Sequence, residues 1–270
     1  MIIAVGAPGW LDELHLEPGP PWHGMGTRAL DEAHWLVVDE HRDAELALKR
    51  RLLAERPGAV AAHVNGSEAA SAEAARLVAG ADALEEAALR VQEDLCVLVH
   101  RDGRWRLDAG VVCFPSMWSL PAKLGLPLVE VHGPVPAYAE ELAERVDRFL
   151  DRLRPDRPVW RRSWFVHASD ELHLPEPPPP TATGLAVPDD LRLRSERQTL
   201  RRLPASGSIL FTIRTQQVPL AVVAERPDVA HRMAAAIRVW SPELLAYRSA
   251  HRWRDATIDW LEGREVIPDR

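Results

Sequence analysis

A chain of 270 residues with a hydrophobic fraction of 46% can bury one sizeable core. Its net charge of −7 disfavours nucleic acid or an anionic membrane as the main partner. The only cysteines, Cys96 and Cys113, exclude a disulfide framework and a four-cysteine metal or iron–sulfur site, and they fit a reduced, cytoplasmic protein.

The first residues, Met1 to Gly6, lack a basic n-region, and no run of eighteen apolar residues follows, so neither a signal peptide nor a membrane span is expected. Residues 1–40 are rich in Pro, Gly and Trp and read as an irregular arm wrapping the domain. Helices are expected over 41–54, where Ala44, Leu48 and Leu52 recur at four-residue spacing, and over 67–91, which is rich in Ala. At Gln92 the pattern changes to strands. Two apolar runs flank Asp102-Gly103, a strong hairpin signal, and the second run extends to Phe114. Residues 115–136 read as a Pro-punctuated loop. Residues 138–153 form an amphipathic helix with Leu142, Val146, Phe149, Leu150 and Leu153 on one face.

Residues 159–167 alternate as a strand. Trp160, Trp164 and Val166 face one side, and Arg161, Ser163, Phe165 and His167 face the other. A Pro-rich break at 175–180 precedes a charged run over 191–203. A strand at 208–215 and helices at 229–239 and 242–261 close the chain. The order predicts an α+β fold, an antiparallel sheet flanked by helices, with too few strands for a doubly wound parallel sheet. Residues 1–90 form a helical and irregular N-terminal extension packed on a core over 91–270.

The chain contains no Gly-x-Gly-x-x-Gly, no Gly-Lys-Ser/Thr, no Gly-x-Ser-x-Gly and no His-Glu-x-x-His. Electrons for any redox chemistry must therefore come from elsewhere. Three groups carry candidate chemistry, each against a plainer alternative. His132, set before Pro134 and Pro136, could ligate a metal or simply bond to backbone. Arg161 could polarise a bound oxygen species or form a structural salt bridge, and Arg162 competes for that role while the strand register is open. Glu196, Arg197 and Gln198 could hold an ammonium group and move a proton, or form a solvated turn. Trp118 could flank a flat macrocycle, although tryptophans are more often core. His167 and His173 read as surface residues.

These residues also resemble a known family. Gln92-Glu93-Asp94, Phe114-Pro115-Ser116-x-Trp118, Lys123-Leu124-Gly125, His132-x-Pro134-Val135-Pro136, Pro158-Val159-x-Arg161 and Glu196-Arg197-Gln198-Thr199-Leu200-x-Arg202-Leu203-Pro204 are similar to the haem-dependent oxidative N-demethylases, over roughly residues 90–250. The resemblance implies a PAS-like domain around haem b. It also implies O₂-dependent oxidation of a small secondary methylamine, with release of formaldehyde. By the same resemblance His132 is the axial iron ligand, Arg161 polarises bound O₂, and Glu196 holds the amine. Trp118, Lys123, Arg197 and Gln198 complete the expected cofactor-binding set. Electrons would come from NADPH through FMN and an iron–sulfur centre on a reductase partner. The oligomeric state is left open. The other class of function is a haem-binding PAS sensor without turnover, but no coiled-coil linker, kinase motif or DNA-binding segment accompanies it. Two departures stand out: Ser163 where the family pattern has Asn, and Gln216 where it has Tyr. Either would alter specificity if it lined the pocket.

Overall fold

Local sequence sets the elements of the computed structural model, which describes residues 7–17, 25–177 and 187–263. The arm opens with a 3-10 turn, Gly9–Glu13, and a two-residue strand β1, Arg28–Ala29. Helix α1, Arg42–Glu55, stops before Pro57, which starts the one-turn α2, Pro57–Val60, and leads into β2, Ala61–His63. The single helix expected over 67–91 is two, α3 (Glu68–Ala79) and α4 (Leu84–Ala88). Gly80 takes the left-handed conformation (φ +61°), and the amides of Gly80 and Ala81 return to the carbonyls of Arg76 and Ala75. That glycine cap ends α3.

Strands β3 (Asp94–Arg101) and β4 (Arg104–Val111) form the expected hairpin. Asp102 and Gly103 both have positive φ, as a two-residue turn matched to strand twist requires. Strand β4 does not continue to Phe114. The Asp94 carboxylate accepts from the amides of Cys113 (3.0 Å) and Phe114 (2.7 Å) and turns the chain off the sheet. The expected loop over 115–136 holds two single-turn helices, α5 (Leu120–Lys123) and α6 (Leu128–Val131). The amphipathic helix starts as a π turn, Tyr138–Leu142, and continues as α7, Ala143–Arg152.

Strand β5, Val159–His167, has the expected bounds, and β6 (Arg192–Arg202) and β7 (Ile209–Pro219) follow it. Of the Pro-rich break, 178–180 lie outside the described residues. Helix α8 is Pro227–Arg238. The last expected helix is divided into α9 (Pro242–Tyr247) and α10 (Arg254–Leu261), with Ser249 at positive φ between them.

The strands make one antiparallel sheet in the order β1-β5-β6-β7-β3-β4-β2. Strands from the first ninety residues form both edges, and the fold is α+β as expected. Strand β6 lies inside the sheet between β5 and β7. The solvated turn considered for its charged run is therefore excluded.

Side-chain alternation gives the sheet two different faces. One face, here the front, carries Cys96, Leu107, Ile209 and Ile213 and is covered by the 115–153 segment through Leu120, Leu128, Val131 and Leu150. The back face packs against α1, α3 and α4 at one end, through Leu95, Val97 and Leu210. At the other end it packs against α8 to α10, through Trp164, Val166 and Leu193. The N-terminal arm is tied to this assembly at and just after its 3-10 turn. Glu13 pairs with the buried Arg162 at 2.6 Å, and the His15 carbonyl accepts from the Trp164 indole at 2.9 Å.

Candidate active site

The pairing of β5 with β6 decides which charged residues meet. Arg161 lies opposite Gln198, and Ser163 lies opposite Glu196. All four occupy the front face, beneath the 115–153 cover. The side chains of Arg161, Gln198 and Glu196, with Ser116 and Arg194, form a continuous chain of hydrogen bonds. Arg161 Nε donates to Gln198 Oε1 at 2.8 Å, and Gln198 Nε2 donates to Glu196 Oε2 at 2.8 Å. The Ser116 hydroxyl binds Glu196 Oε1. Arg194 Nε then donates to Ser116 Oγ at 3.0 Å.

Arg194 fixes the far end of this chain. It is fully buried and donates to the carbonyls of Phe114, Pro115, Glu171 and Leu172 at 2.9 to 3.1 Å. Burial pulls its guanidinium down to about 10, against the pull of the Glu196 and Asp94 carboxylates. One cation so bonded clamps the Phe114–Ser116 turn and the 171–172 loop to the sheet. Arg161 at the near end is held more loosely, with a 3.4 Å contact to the Met25 carbonyl. Burial lowers its ordinary value, and Glu196 and Tyr138 oppose that.

His132 follows α6 in the cover. Its Nδ1 donates to the Leu128 carbonyl at 2.9 Å, and its ring stacks on Tyr138 with centroids 4.3 Å apart. A carbonyl can only accept, so Nδ1 carries the proton and Nε2 keeps its lone pair. Burial, with the charges of Lys123 and Arg161 nearby, pushes the imidazole down to about 4. It is a neutral base at neutral pH, the form that ligates metals. The plainer alternative, a histidine bonded to backbone, is what the structure shows, and that bond fixes the tautomer. Lys123 Nζ donates to the Val131 carbonyl beside His132, and lies 5.8 Å from the Trp118 ring. Burial pulls its ammonium down.

Among the described residues no three His, Cys, Asp or Glu side chains converge as a metal cage. One oriented imidazole is nevertheless what an iron already held in a macrocycle requires from a protein. The donor set therefore fits haem.

The family described as "Haem-dependent oxidative N-demethylase, alpha subunit-like" matches residues 78–258, more than half of the chain. The chain belongs to that family. The description makes family members haem-dependent, and "alpha subunit" places them in multi-subunit enzymes. Among the described residues no helix is long and apolar enough to cross a membrane.

Not every residue of the family pattern reaches the front face. Arg197 is on the back, where it donates to the carbonyls of His34 (2.7 Å) and Trp35 (3.0 Å) and packs over Trp160. It holds the arm and does not join the cluster expected for it. Arg162, once a competitor of Arg161, is also on the back, bonded to Glu13, Ser195 and Gln216. Gln216 donates there to Asp39 at 3.0 Å, so this departure does not line the front face, whereas Ser163 does. His167 is not a surface residue: it is 4% exposed, and neither ring nitrogen has a hydrogen-bond partner among the described residues. His173 is half-buried against the Cys113 carbonyl. The two thiols are buried and free, and burial holds Cys113 up at about 12.

Sequence reasoning passed over Ser116, Arg194 and Tyr138 as site residues. Only once 191–203 is known to be a strand does its period-two alternation put Arg194 on the face of Glu196 and Gln198. Ser116 comes from irregular backbone, which carries no such signal, and Tyr138 opens the helix after it, where nothing in the pattern marks it as a site residue.

Proposed function

We propose that this chain is the haem-binding subunit of an oxygenase that removes a methyl group oxidatively from a small secondary amine. O₂ would be the oxidant, and a separate reductase carrying FMN and an iron–sulfur centre would pass on electrons from NADPH. The observation that carries this reading is the chain Arg161–Gln198–Glu196–Ser116 lying on the sheet face covered by the segment that bears His132. The proposal takes residues 91–270 as a PAS-like core with 1–90 packed on it, in a reducing cytoplasmic setting.

In this reading His132 Nε2, its tautomer set by Leu128, would hold the haem iron. Trp118 and Lys123, which lie together, would help to hold the cofactor beside it. When bound, haem b supplies the activation of O₂ and the oxidising chemistry. Each remaining task falls to a side chain. Arg161 presents guanidinium N–H groups to a polar, oxygen-bearing ligand. Glu196 accepts N–H bonds from the ammonium of the amine and can take or return a proton. Gln198 and Ser116 each occupy one of its oxygens, so the carboxylate offers the amine a fixed direction. The apolar cover keeps water from a polar cluster whose interactions strengthen as it dries.

An absorption spectrum of protein made with added haem precursor, taken before and after dithionite and CO, tests this. A Soret band stoichiometric with protein, lost in His132→Ala, is expected. Glu196→Ala should keep the band and lose amine-dependent O₂ uptake with a reductase supplied. Folded protein that takes up no haemin refutes the oxygenase reading.

A further inference from the structure

Arg161 and Glu196 are diagonal neighbours across an antiparallel strand pair. Arg161 faces Gln198, and Glu196 lies two residues along the same face of β6. Such positions are within reach of long side chains. A guanidinium and a carboxylate so placed, both largely withdrawn from water, have every electrostatic reason to close into a direct fork-to-fork pair. Among the described residues no ion pair joins them, and the Gln198 amide stands between. Its orientation is forced. Arg161 Nε can only donate, so it faces Oε1 at 2.8 Å, and the amide NH₂ must then face Glu196 Oε2, also at 2.8 Å. A flipped amide would set donor against donor and oxygen against carboxylate.

We propose that Gln198 is a positioning residue that holds Arg161 and Glu196 apart, so that the carboxylate stays available to a small ammonium ion and the guanidinium to a second, oxygen-bearing ligand. The identity of the two ligands rests on the function proposed above. The spacing role does not. An amide suits the role because it is neutral and can give one group an acceptor and the other a donor. Other charged or titratable groups that interact electrostatically with Glu196 are Arg194 on its own strand, Cys96 on β3 and Tyr247 on α9. Arg194 is committed to four carbonyls and Ser116, so Arg161 is the cation left to close on Glu196 if the amide is removed.

The test is a cycle of variants in the haem-reconstituted protein: Gln198→Met, Arg161→Met and the double variant. It is read by crystal structure and by calorimetric titration with dimethylammonium chloride. In Gln198→Met, a similar length without polar atoms, Arg161 should close on Glu196, and dimethylammonium affinity should fall by roughly tenfold or more. The double variant should recover most of that affinity, because the competing cation has gone. A residue that merely supported the fold would give no such recovery. Gln198→Asn, one methylene shorter, should contact one neighbour and not both, and it serves if Gln198→Met does not fold. Arg161 remaining apart from Glu196 in both Gln198→Met and Gln198→Asn overturns the proposal, as does a double variant as weak as Gln198→Met. If wild-type protein fails to bind dimethylammonium, the amine reading falls, and the Arg161–Glu196 separation in the crystals still decides the role of Gln198.

Discussion

Asp94→Asn is a change outside the Arg161–Ser116 chain that should weaken both the fold and the site. Asp94 is fully buried, accepts from the amides of Cys113 and Phe114, and lies 3.4 Å from the ammonium of Lys49, itself fully buried. Asparagine preserves the shape but sets an NH₂ against one amide donor and removes the charge facing Lys49. A buried charge stripped of its partner costs about 3–5 kcal/mol, and an unpaired buried amide about 1–3 more. A loss near 5 kcal/mol corresponds to a Tm lower by roughly 10–20 °C for a chain of this size. Urea and thermal unfolding, followed by far-ultraviolet circular dichroism, would measure it. The partner change Lys49→Met should rescue part of the loss, because the double variant no longer buries an uncompensated ammonium. A coupling of at least about 2 kcal/mol is expected in the cycle. A Tm drop under about 3 °C, or strictly additive single variants, would refute the reasoning. The consequence reaches the site because Asp94 turns the chain at 113–114, two residues before the Ser116 hydroxyl that binds Glu196.

His167 makes stability depend on pH. Burial, then the nearby Arg194 and Arg192, push its imidazole down to about 3 from an ordinary 6.5. The unfolded chain therefore binds a proton that the folded one refuses, and stability is lost as pH falls from about 6.5 towards 3, at up to about 1.4 kcal/mol per pH unit. His167→Phe should flatten that part of the stability curve of haem-free protein, and an unchanged slope would contradict the burial. Lys123 should be the single side-chain amine open to labelling, since the other lysine, Lys49, is 0% exposed. Reductive methylation followed by peptide mapping should modify Lys123 in native protein, and Lys49 only after unfolding. A native label on Lys49 would show that α1 opens from the sheet.

Much of the fold was legible because period-two alternation and turn chemistry act locally. Asp102-Gly103 announced its hairpin, and β5 fell at the bounds its alternation set. The failures have equally local causes. The 67–91 helix was over-extended because an Ala-rich composition hides a glycine cap at Gly80. The second hairpin strand was over-extended because its end is set by Asp94, distant in sequence. No pattern within 191–203 showed that so charged a run is an interior strand. It can be one because its guanidinium groups find acceptors elsewhere in the chain: Arg194 at Phe114 to Ser116 and in the 171–172 loop, Arg197 at residues 34 and 35.

That strand also shows how far a motif alone can be trusted. Glu196-Arg197-Gln198 reads as one polar cluster, yet pleating sends the first and third residues to the front face and the second to the back. Glu196 and Gln198 join Arg161 and Ser116, whereas Arg197 clasps the arm through two carbonyls. The same division explains why the two departures from the family pattern differ in weight. Gln216 is on the arm side, bonded to Arg162 and Asp39, and a change there acts on how the arm is seated. Ser163 sits directly across from Glu196 on the front. A serine there is smaller than the asparagine expected from the resemblance and leaves more room beside the carboxylate. If substrate preference differs within the family at one of these positions, physical reasoning puts it at Ser163.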